Sequence, residues 1–514
     1  MTERHPARCG IAAVVNALER DRARPVVEMA GERPWTGGDL LDAISRMVQA
    51  LQSVGVAEGT RVALLAGNAV EVILLHNAIA LAGGCFVAMH PMGSADDHLF
   101  SIEDGSVDVF IYEPKQFSVR AAEIAGRAER LKAILSLGPG EVGQDLLALA
   151  QSFAAGAIDA SNRSQDAIVR LSYSGGTTGK PKAIPMPVRV QDEMIRIMLS
   201  DWEWPVEPRM LMVAPLSHAG GPLFASVLLR HGTMVVMPGF DPGATLKAIQ
   251  DQRINCLLLV PTMIYALLDH PDFGQYDLSS LEVVYYGASL MSPARLKEAI
   301  EKIGPVFFQF YGQAEAPMTV TILRRAEHLV DDPLRLASCG RPVPWVDMAL
   351  LANDNRPVAE GEPGEICVRG PLVMDGYLDR PDLSAETLAG GWLHTGDIAV
   401  RDAGGFLRIV DRKKDMIVTG GFNVFPSEVE NVIARHPAVA QVAVFGVPDE
   451  RWGEAVTAAI VLRPGASAAE AELVAMVREA KGAVQAPKRI AFLHAIPQTA
   501  VGKPDKKALR TQFG

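Results

Sequence analysis

Leu171-Ser172-Tyr173-Ser174-Gly175-Gly176-Thr177-Thr178-Gly179-Lys180-Pro181-Lys182 is the stretch on which the reading of the whole chain turns. An apolar run (Ala167, Ile168, Val169, Leu171) feeds a small, hydroxyl-bearing loop. Glycines without a Cβ let backbone N–H groups converge on an anion. Threonine hydroxyls add donors and can reach a metal ion, and Lys182 adds positive charge. A polyphosphate is the natural occupant. The stretch is not a P-loop: G-x-x-x-x-G-K-[ST] needs a glycine where Ser174 stands and Ser or Thr where Pro181 stands. Glycine-rich loops are often only loops, so the stretch alone leaves that reading open.

At 514 residues the chain is too long for one compact core and suggests two or more domains. Hydrophobic residues at 49% and charged residues at 21% are ordinary for a globular protein. The net charge of -11 argues against a general nucleic-acid binder, because no global positive field attracts phosphates. Cys9, Cys85, Cys256, Cys339 and Cys367 are odd in number and far apart, and none forms a C-x-x-C pair. That speaks against a disulfide framework or a zinc site and for a reducing compartment. Met1-Thr2-Glu3-Arg4-His5-Pro6 lacks the apolar core of a signal peptide. The longest apolar stretches are broken by Asn68, Glu71, His76 and Pro261, so no transmembrane helix is expected and the protein is placed in the cytoplasm.

Leu40, Leu41, Ile44, Met47, Val48 and Leu51 recur at helical spacing. Strand-like Val62-Ala63-Leu64-Leu65 follows, then a helix from Ala69 to Leu81, then strands at Cys85-Phe86-Val87 and Val107–Ile111. Short apolar strands alternating with helices predict a parallel, helix-covered sheet. After the glycine loop the pattern repeats, with strands at Leu211–Val213, Met234–Val236, Leu257–Val260 and Val283–Tyr285, which predicts a second α/β half. From about Leu336 to Val410, Gly and Pro become frequent and the apolar runs shorten, reading as a β-rich subdomain. A small α+β pattern follows the charged stretch Asp411-Arg412-Lys413-Lys414-Asp415. The expected division is therefore 1–411 and 412–514, with a boundary near 411–415. No internal repeat is apparent.

Further motifs join the glycine loop. They are Pro215-Leu216-Ser217-His218-Ala219-Gly220-Gly221, Tyr285-Tyr286-Gly287-Ala288-Ser289 and Tyr311-Gly312-Gln313-Ala314-Glu315. Then come Gly391-Trp392-Leu393-His394-Thr395-Gly396-Asp397, the 411–415 stretch with Gly420-Gly421-Phe422-Asn423-Val424, and Pro497-Gln498-Thr499-Ala500-Val501-Gly502-Lys503. In this order and at these intervals the set, from about Trp35 to Arg510, closely resembles the adenylate-forming superfamily. In texture it is most similar to stand-alone fatty-acid- and aryl-acid-CoA ligases.

The resemblance implies an ATP-dependent, AMP-forming acyl-CoA synthetase with ATP, Mg²⁺ and coenzyme A, a carboxylic acid as substrate, and a small mobile C-terminal domain. A carboxylate is a poor acylating agent because its leaving group would be oxide. Such enzymes let it attack the α-phosphate of ATP, so cations must offset the repulsion between two anions. By resemblance, Ser174, Gly175, Gly176, Thr177, Thr178, Gly179 and Lys182 hold the phosphates, and Glu315, with Thr177, holds Mg²⁺. Adenine lies between Tyr311 and Gly287-Ala288-Ser289, with Gly312, Gln313 and Ala314 alongside. Asp397 takes the ribose hydroxyls, aided by Arg412, although an aspartate after Thr-Gly is often only a turn cap.

Lys503 is implied as the catalytic lysine contacting the attacking carboxylate and the α-phosphate. Lys503, Lys506, Lys507 and Arg510 also share helical spacing, so a solvated basic face stays open. Lys414 is the implied hinge, about which the small domain rotates so that one cleft serves both half-reactions. Gly420 and Gly421 line a pantetheine tunnel, with a plain turn as the alternative. Trp452 borders CoA or merely packs at the surface. His218 flanks the acyl carboxylate, or is a satisfied structural histidine. Pro222, Leu223, Phe224, Tyr286, Gly312 and Met318 shape the acyl pocket.

Three positions depart from the family pattern: Gly175 is often serine, Ala183 usually glycine, and Ala314 usually threonine. Ala314 keeps open a non-catalytic nucleotide-binding relative, which intact Glu315, Asp397, Arg412 and Lys503 argue against. An enzyme that loads a separate carrier protein also stays open, and nothing suggests a luminescent substrate of the luciferase kind. The acid is not identified, and family habit alone suggests a monomer or homodimer.

Overall fold

The computed structural model describes residues 10–160, 163–174, 181–420, 422–449, 451–498 and 504–514. The first sheet has seven strands in the order Gln144–Asp145, Ala133–Ser136, Val109–Tyr112, Arg61–Leu65, Cys85–Ala88, Ile168–Ser174, Lys182–Pro187. Only its last pair is antiparallel. The second sheet has nine strands and a parallel centre, Phe307–Gln313, Val283–Tyr286, Cys256–Leu259, Arg209–Met212, Thr233–Val236 and Pro25–Met29. Antiparallel edges close it at both sides.

The strand Pro25–Met29, which the pattern did not disclose, pairs with Thr233–Val236 across some two hundred residues of sequence. Glu28 on it is buried, and the Arg209 guanidinium donates to its carboxylate at 2.5 Å. The N-terminal segment is thereby built into the second sheet.

One apolar core joins the facing surfaces of both sheets. Helix Val70–Leu81 (VEVILLHNAIAL) is apolar almost all round, which suits an element packed on every side. Helix Gly37–Ser53 starts at a capping box, Thr36 and Asp39 each accepting from the other's backbone N–H. Strand alternation sorts the side chains. Val62 and Leu64 enter the shared core while Ala63 and Leu65 face an outer layer. Val283 and Tyr285 enter it while Val284 and Tyr286 face away.

A four-stranded antiparallel sheet follows: Asp347–Leu351, Gly364–Arg369, Leu393–Arg401, Leu407–Arg412. The last sheet comprises Phe422–Val424, Ile417–Thr419, Gly453–Leu462 and Val439–Asp449, with Arg489–Phe492 added in parallel. It has its own core, built on Val429, Val444, Val456, Ile460 and Leu473. The architecture is the expected α/β fold: two α/β sheets with a β-rich part, and a small C-terminal α+β part.

Leu75 is fully enclosed in the shared core, whereas Val119 is 85% exposed. Leu75→Ala is expected to cost about 2–5 kcal/mol of unfolding free energy. Val119→Ala should stay within about 0.5 kcal/mol. Urea denaturation of both variants checks the contrast.

Candidate active site

The glycine stretch connects two paired strands. Ile168–Ser174 runs into it and Lys182–Pro187 leaves it, with Ser174 opposite Lys182. Gly175, Gly176, Thr177, Thr178 and Gly179 lie outside the described residues, as do Gly421 and Lys503. Lys182 is described, and its ammonium sits 5.1 Å from the ring centroid of Tyr377.

Glu315 stands at the tip of the hairpin formed by Phe307–Gln313 and Ala316–Leu323. The turn needs Gly312, since a Cβ there would lie 2.5 Å from the Met318 nitrogen. Met318 itself adopts φ +59°. The Glu315 carbonyl accepts from Met374 N–H at 2.9 Å, and its carboxylate Oε1 accepts from the Tyr377 hydroxyl at 2.9 Å. Burial and the Glu315 charge push the Tyr377 hydroxyl well above its ordinary pKa, so it remains a donor. Glu315 is buried and forms no salt bridge among the described residues. A buried carboxylate without a basic partner suits a hard cation, so the donor fits Mg²⁺.

Asp397 is buried on strand Leu393–Arg401. Tyr311 donates its hydroxyl to Asp397 Oδ2 at 2.6 Å, and Arg412, its cross-strand partner, reaches Oδ1 at 2.6 Å. Asp397 N–H donates to Thr395 Oγ1, whose own proton goes to the Ile366 carbonyl. The carboxylate is thus aimed, with two charge-assisted contacts of short length. Gly287 follows the strand Val283–Tyr286, which neighbours that of Tyr311, and a Cβ on it would fall 2.5 Å from the Phe310 carbonyl oxygen. Ala288 follows at φ +65°, exposed, with Ser289 half-buried. Gln313 and Ala314 are half-buried beside them, and the Gln313 amide reaches the Thr395 carbonyl at 3.4 Å.

His218 sits in a wide single turn, Leu216–Gly220, with the uncommon backbone φ -121°, ψ -112°. Arg170, a buried residue of the strand entering the glycine loop, donates to the Ser217 carbonyl at 2.6 Å and thereby holds that turn. Ser217 Oγ and His218 Nδ1 share a hydrogen bond at 2.9 Å. The rings of His218 and His90 meet edge-on at 4.9 Å. Desolvation, then the charges of Arg170 and His90, lower the His218 pKa to about 3. Desolvation, Arg170 and His218 do the same to His76. Both imidazoles are therefore neutral at ordinary pH.

The residues expected around the acyl chain are not all on one surface. Leu223 and Phe224 lie in the shared core, Met318 packs against it, and Pro222 is half-buried on the same helix. Tyr286 points to the opposite face of the second sheet, where its hydroxyl meets His328 Nε2 at 2.9 Å and Gln309 Oε1 at 3.3 Å. The structure does not bring it together with the others. Period-two alternation puts Tyr285 on that side instead, against Trp202 at 4.9 Å.

Lys414 is exposed in the turn between strands Leu407–Arg412 and Ile417–Thr419. Its neighbour Lys413 donates backbone N–H to Gly396 at 2.7 Å and its ammonium to Glu365 at 3.1 Å. Gly420 adopts φ +57° and donates to the Trp452 carbonyl at 2.8 Å, and a Cβ on it would come within 3.1 Å of the Trp452 ring. These two expected CoA residues are in contact.

Sequence reasoning missed Tyr377, Arg170 and His90. Arg170 left a signal, a lone charge inside an apolar strand run. Tyr377 left none, since it follows a short irregular segment without periodicity.

A cluster that gathers an aimed carboxylate, a second carboxylate fit for a cation and a lysine at the end of a glycine-rich stretch suits an enzyme that activates an acid with a nucleotide. Comparison with known proteins places the chain in that class. The AMP-binding enzyme family matches residues 14–378, and the AMP-binding enzyme C-terminal domain matches residues 428–503. The medium/long-chain-fatty-acid–CoA ligase FadD8 of Mycobacterium tuberculosis is 47% identical, over 97% of this chain and 89% of that one. A feruloyl-CoA synthase of Amycolatopsis is 34% identical, over 94% and 95%. The solved amide bond synthetase McbA of Marinactinospora thermotolerans superposes with a TM-score of 0.90 at 32% identity, over 98% of this chain and all of that one. The chain belongs to the AMP-binding, adenylate-forming family. It is an AMP-forming acyl-CoA ligase that joins a carboxylic acid to CoA at the expense of ATP. No helix among the described residues is long and apolar enough to cross a membrane.

The low His76 pKa has a consequence for stability. A folded pKa of about 3 against about 6.5 unfolded means the unfolded chain binds more protons between those values. Stability is therefore full above about pH 6.5 and falls as pH drops toward 3. His76→Leu should lose less stability than the parent between pH 6.5 and 4, by at most about 1.4 kcal/mol per pH unit. Urea unfolding across that range checks it, and parallel curves would refute it.

Proposed function

We propose that the acid is a medium- or long-chain fatty acid. The observation that carries this is the full-length match, at 47% identity, to a ligase named for such acids. Leu223 and Phe224 in the apolar core beside the His218 turn are compatible with a hydrocarbon chain. In the first half-reaction the carboxylate attacks the α-phosphorus of ATP, and pyrophosphate leaves. In the second, the CoA thiol attacks the acyl carbonyl, and AMP leaves.

The roles are assigned as follows. Lys182 and the loop 174–179 bind the phosphates. Asp397 and Arg412 take the ribose, and Tyr311 with 287–289 takes adenine, Gly312, Gln313 and Ala314 flanking it. Neutral His218 offers a hydrogen bond to the acid without competing for its charge. Glu315 and Thr177 would hold Mg²⁺, which when bound offsets charge on the phosphate oxygens. Lys503 supplies the cation for the adenylation transition state. Residues 1–411 form one domain and 412–514 the other, turning about Lys414, with Gly420, Gly421 and Trp452 toward CoA. The protein works in the cytoplasm as a monomer or homodimer.

Pyrophosphate release over a panel of acids, with and without CoA, tests the assignment. CoA-stimulated turnover should favour medium- and long-chain saturated acids over ferulate and other aryl acids; the reverse order would overturn it. Lys503→Ala should lower acid-dependent ATP–pyrophosphate exchange by on the order of 10²-fold. Transfer from preformed acyl-adenylate to CoA should fall much less.

A further inference from the structure

Tyr377 touches two groups that the reading above assigns to the nucleotide. Its hydroxyl donates to Glu315 Oε1 at 2.9 Å, and its ring carries the Lys182 ammonium at 5.1 Å from the centroid. Glu315 and Lys182 come from different sheets, on the hairpin of the second and the last strand of the first. Tyr377 lies on the segment that crosses between them. Met374 N–H binds the Glu315 carbonyl, and Leu378 N–H binds the Ala183 carbonyl at 3.0 Å. Both ends of this bridge are thus pinned by backbone bonds, and the tyrosine stands between the two pins. Tyr377 N–H in turn donates to Ser384 Oγ at 2.9 Å, which steadies the segment.

Buried opposite charges in one crevice tend to neutralise each other. A direct Lys182–Glu315 pair would use up the cation meant for phosphate and the carboxylate meant for metal. No such pair forms among the described residues. The phenol instead satisfies the carboxylate with a neutral donor at one oxygen and leaves its charge intact. The ring face attracts the ammonium without cancelling it, because a quadrupole carries no net charge.

We propose that Tyr377 is a positioning residue for adenylation, orienting Glu315 toward the divalent cation and holding Lys182 apart as a separate phosphate-binding charge. The proposal rests on the nucleotide reading of Glu315 and Lys182. Such a role acts through Glu315 and Lys182, so its signature is in metal-linked nucleotide binding rather than in turnover.

Calorimetric titration of the whole protein with ATP, in Mg²⁺ and in EDTA without acid or CoA, separates the terms. Glu315→Gln defines the scale by abolishing the Mg²⁺-dependent gain in affinity. Tyr377→Phe should reduce that gain by about threefold to tenfold and leave metal-free ATP binding unchanged. Tyr377→Leu should weaken metal-free binding as well, by about twofold to tenfold, through loss of the ring beneath Lys182. Thermal melts confirm that each variant is folded, and Tyr377→Phe, which keeps the ring, carries the test if the leucine variant does not fold. A full Mg²⁺ gain in Tyr377→Phe, with Glu315→Gln impaired, overturns the proposal while the nucleotide reading stands. A full gain in Glu315→Gln overturns the reading and the proposal together.

Discussion

A buried carboxylate needs hydrogen-bonding or charged partners, and Asp397 has one of each. Its two oxygens are engaged at 2.6 Å, one by the Tyr311 hydroxyl and one by Arg412. Tyr311 belongs to the second α/β sheet, and Asp397 and Arg412 to the four-stranded sheet. The contact is therefore a fastening between architectural units as well as part of a site. Arg412 ends the strand that leads into the turn of Lys414, so the start of that turn is anchored by the same carboxylate.

The first sheet is tied in by different means. Arg170 reaches from its strand to the Ser217 carbonyl in the second sheet's His218 turn. The 374–378 segment bridges Glu315 and Ala183. Each tie is a polar contact that ends on a backbone carbonyl beside a large apolar core. The core fixes the spacing of the sheets, and the polar ties fix the side chains within that spacing. Burial first, and then the charge of Arg170 beside them, lower the pKa of the nearby histidines, because a buried cation raises the cost of a second positive charge.

Much of this was legible in the chain. Helix Gly37–Ser53 follows its hydrophobic period, while helix Val70–Leu81 and the strands around Val62, Met234 and Val283 stand out as apolar runs. Asp397, Tyr311 and Glu315 stood out by motif. What stayed hidden depends on distance in the fold. Strand Pro25–Met29 is too short for its period to be distinctive, and its partner lies far along the chain. Tyr286 was grouped with the acyl residues by its place in a motif, but the alternation of the strand turns it to the other face. Which of two adjacent tyrosines enters a core depends on register, and register is set by pairing with neighbours rather than by the residues themselves.

Net charge illustrates the same limit from the other side. At -11 the chain repels anions at long range, which is sound evidence against nucleic acid as a general partner. Yet both the acid and ATP are anions. The resolution is one of distance. At physiological ionic strength, charges separated by more than about 8 Å are largely screened. At short range the field around the proposed site depends on nearby groups such as Lys182 against a ring, Arg412 on Asp397 and Arg170 behind His218. Neutral donors, the Tyr377 and Tyr311 hydroxyls, hold the carboxylates there without themselves carrying charge. A cluster built this way can present cations to an anion while the chain as a whole carries net negative charge. Its affinity then depends on how well those few groups are kept from neutralising one another.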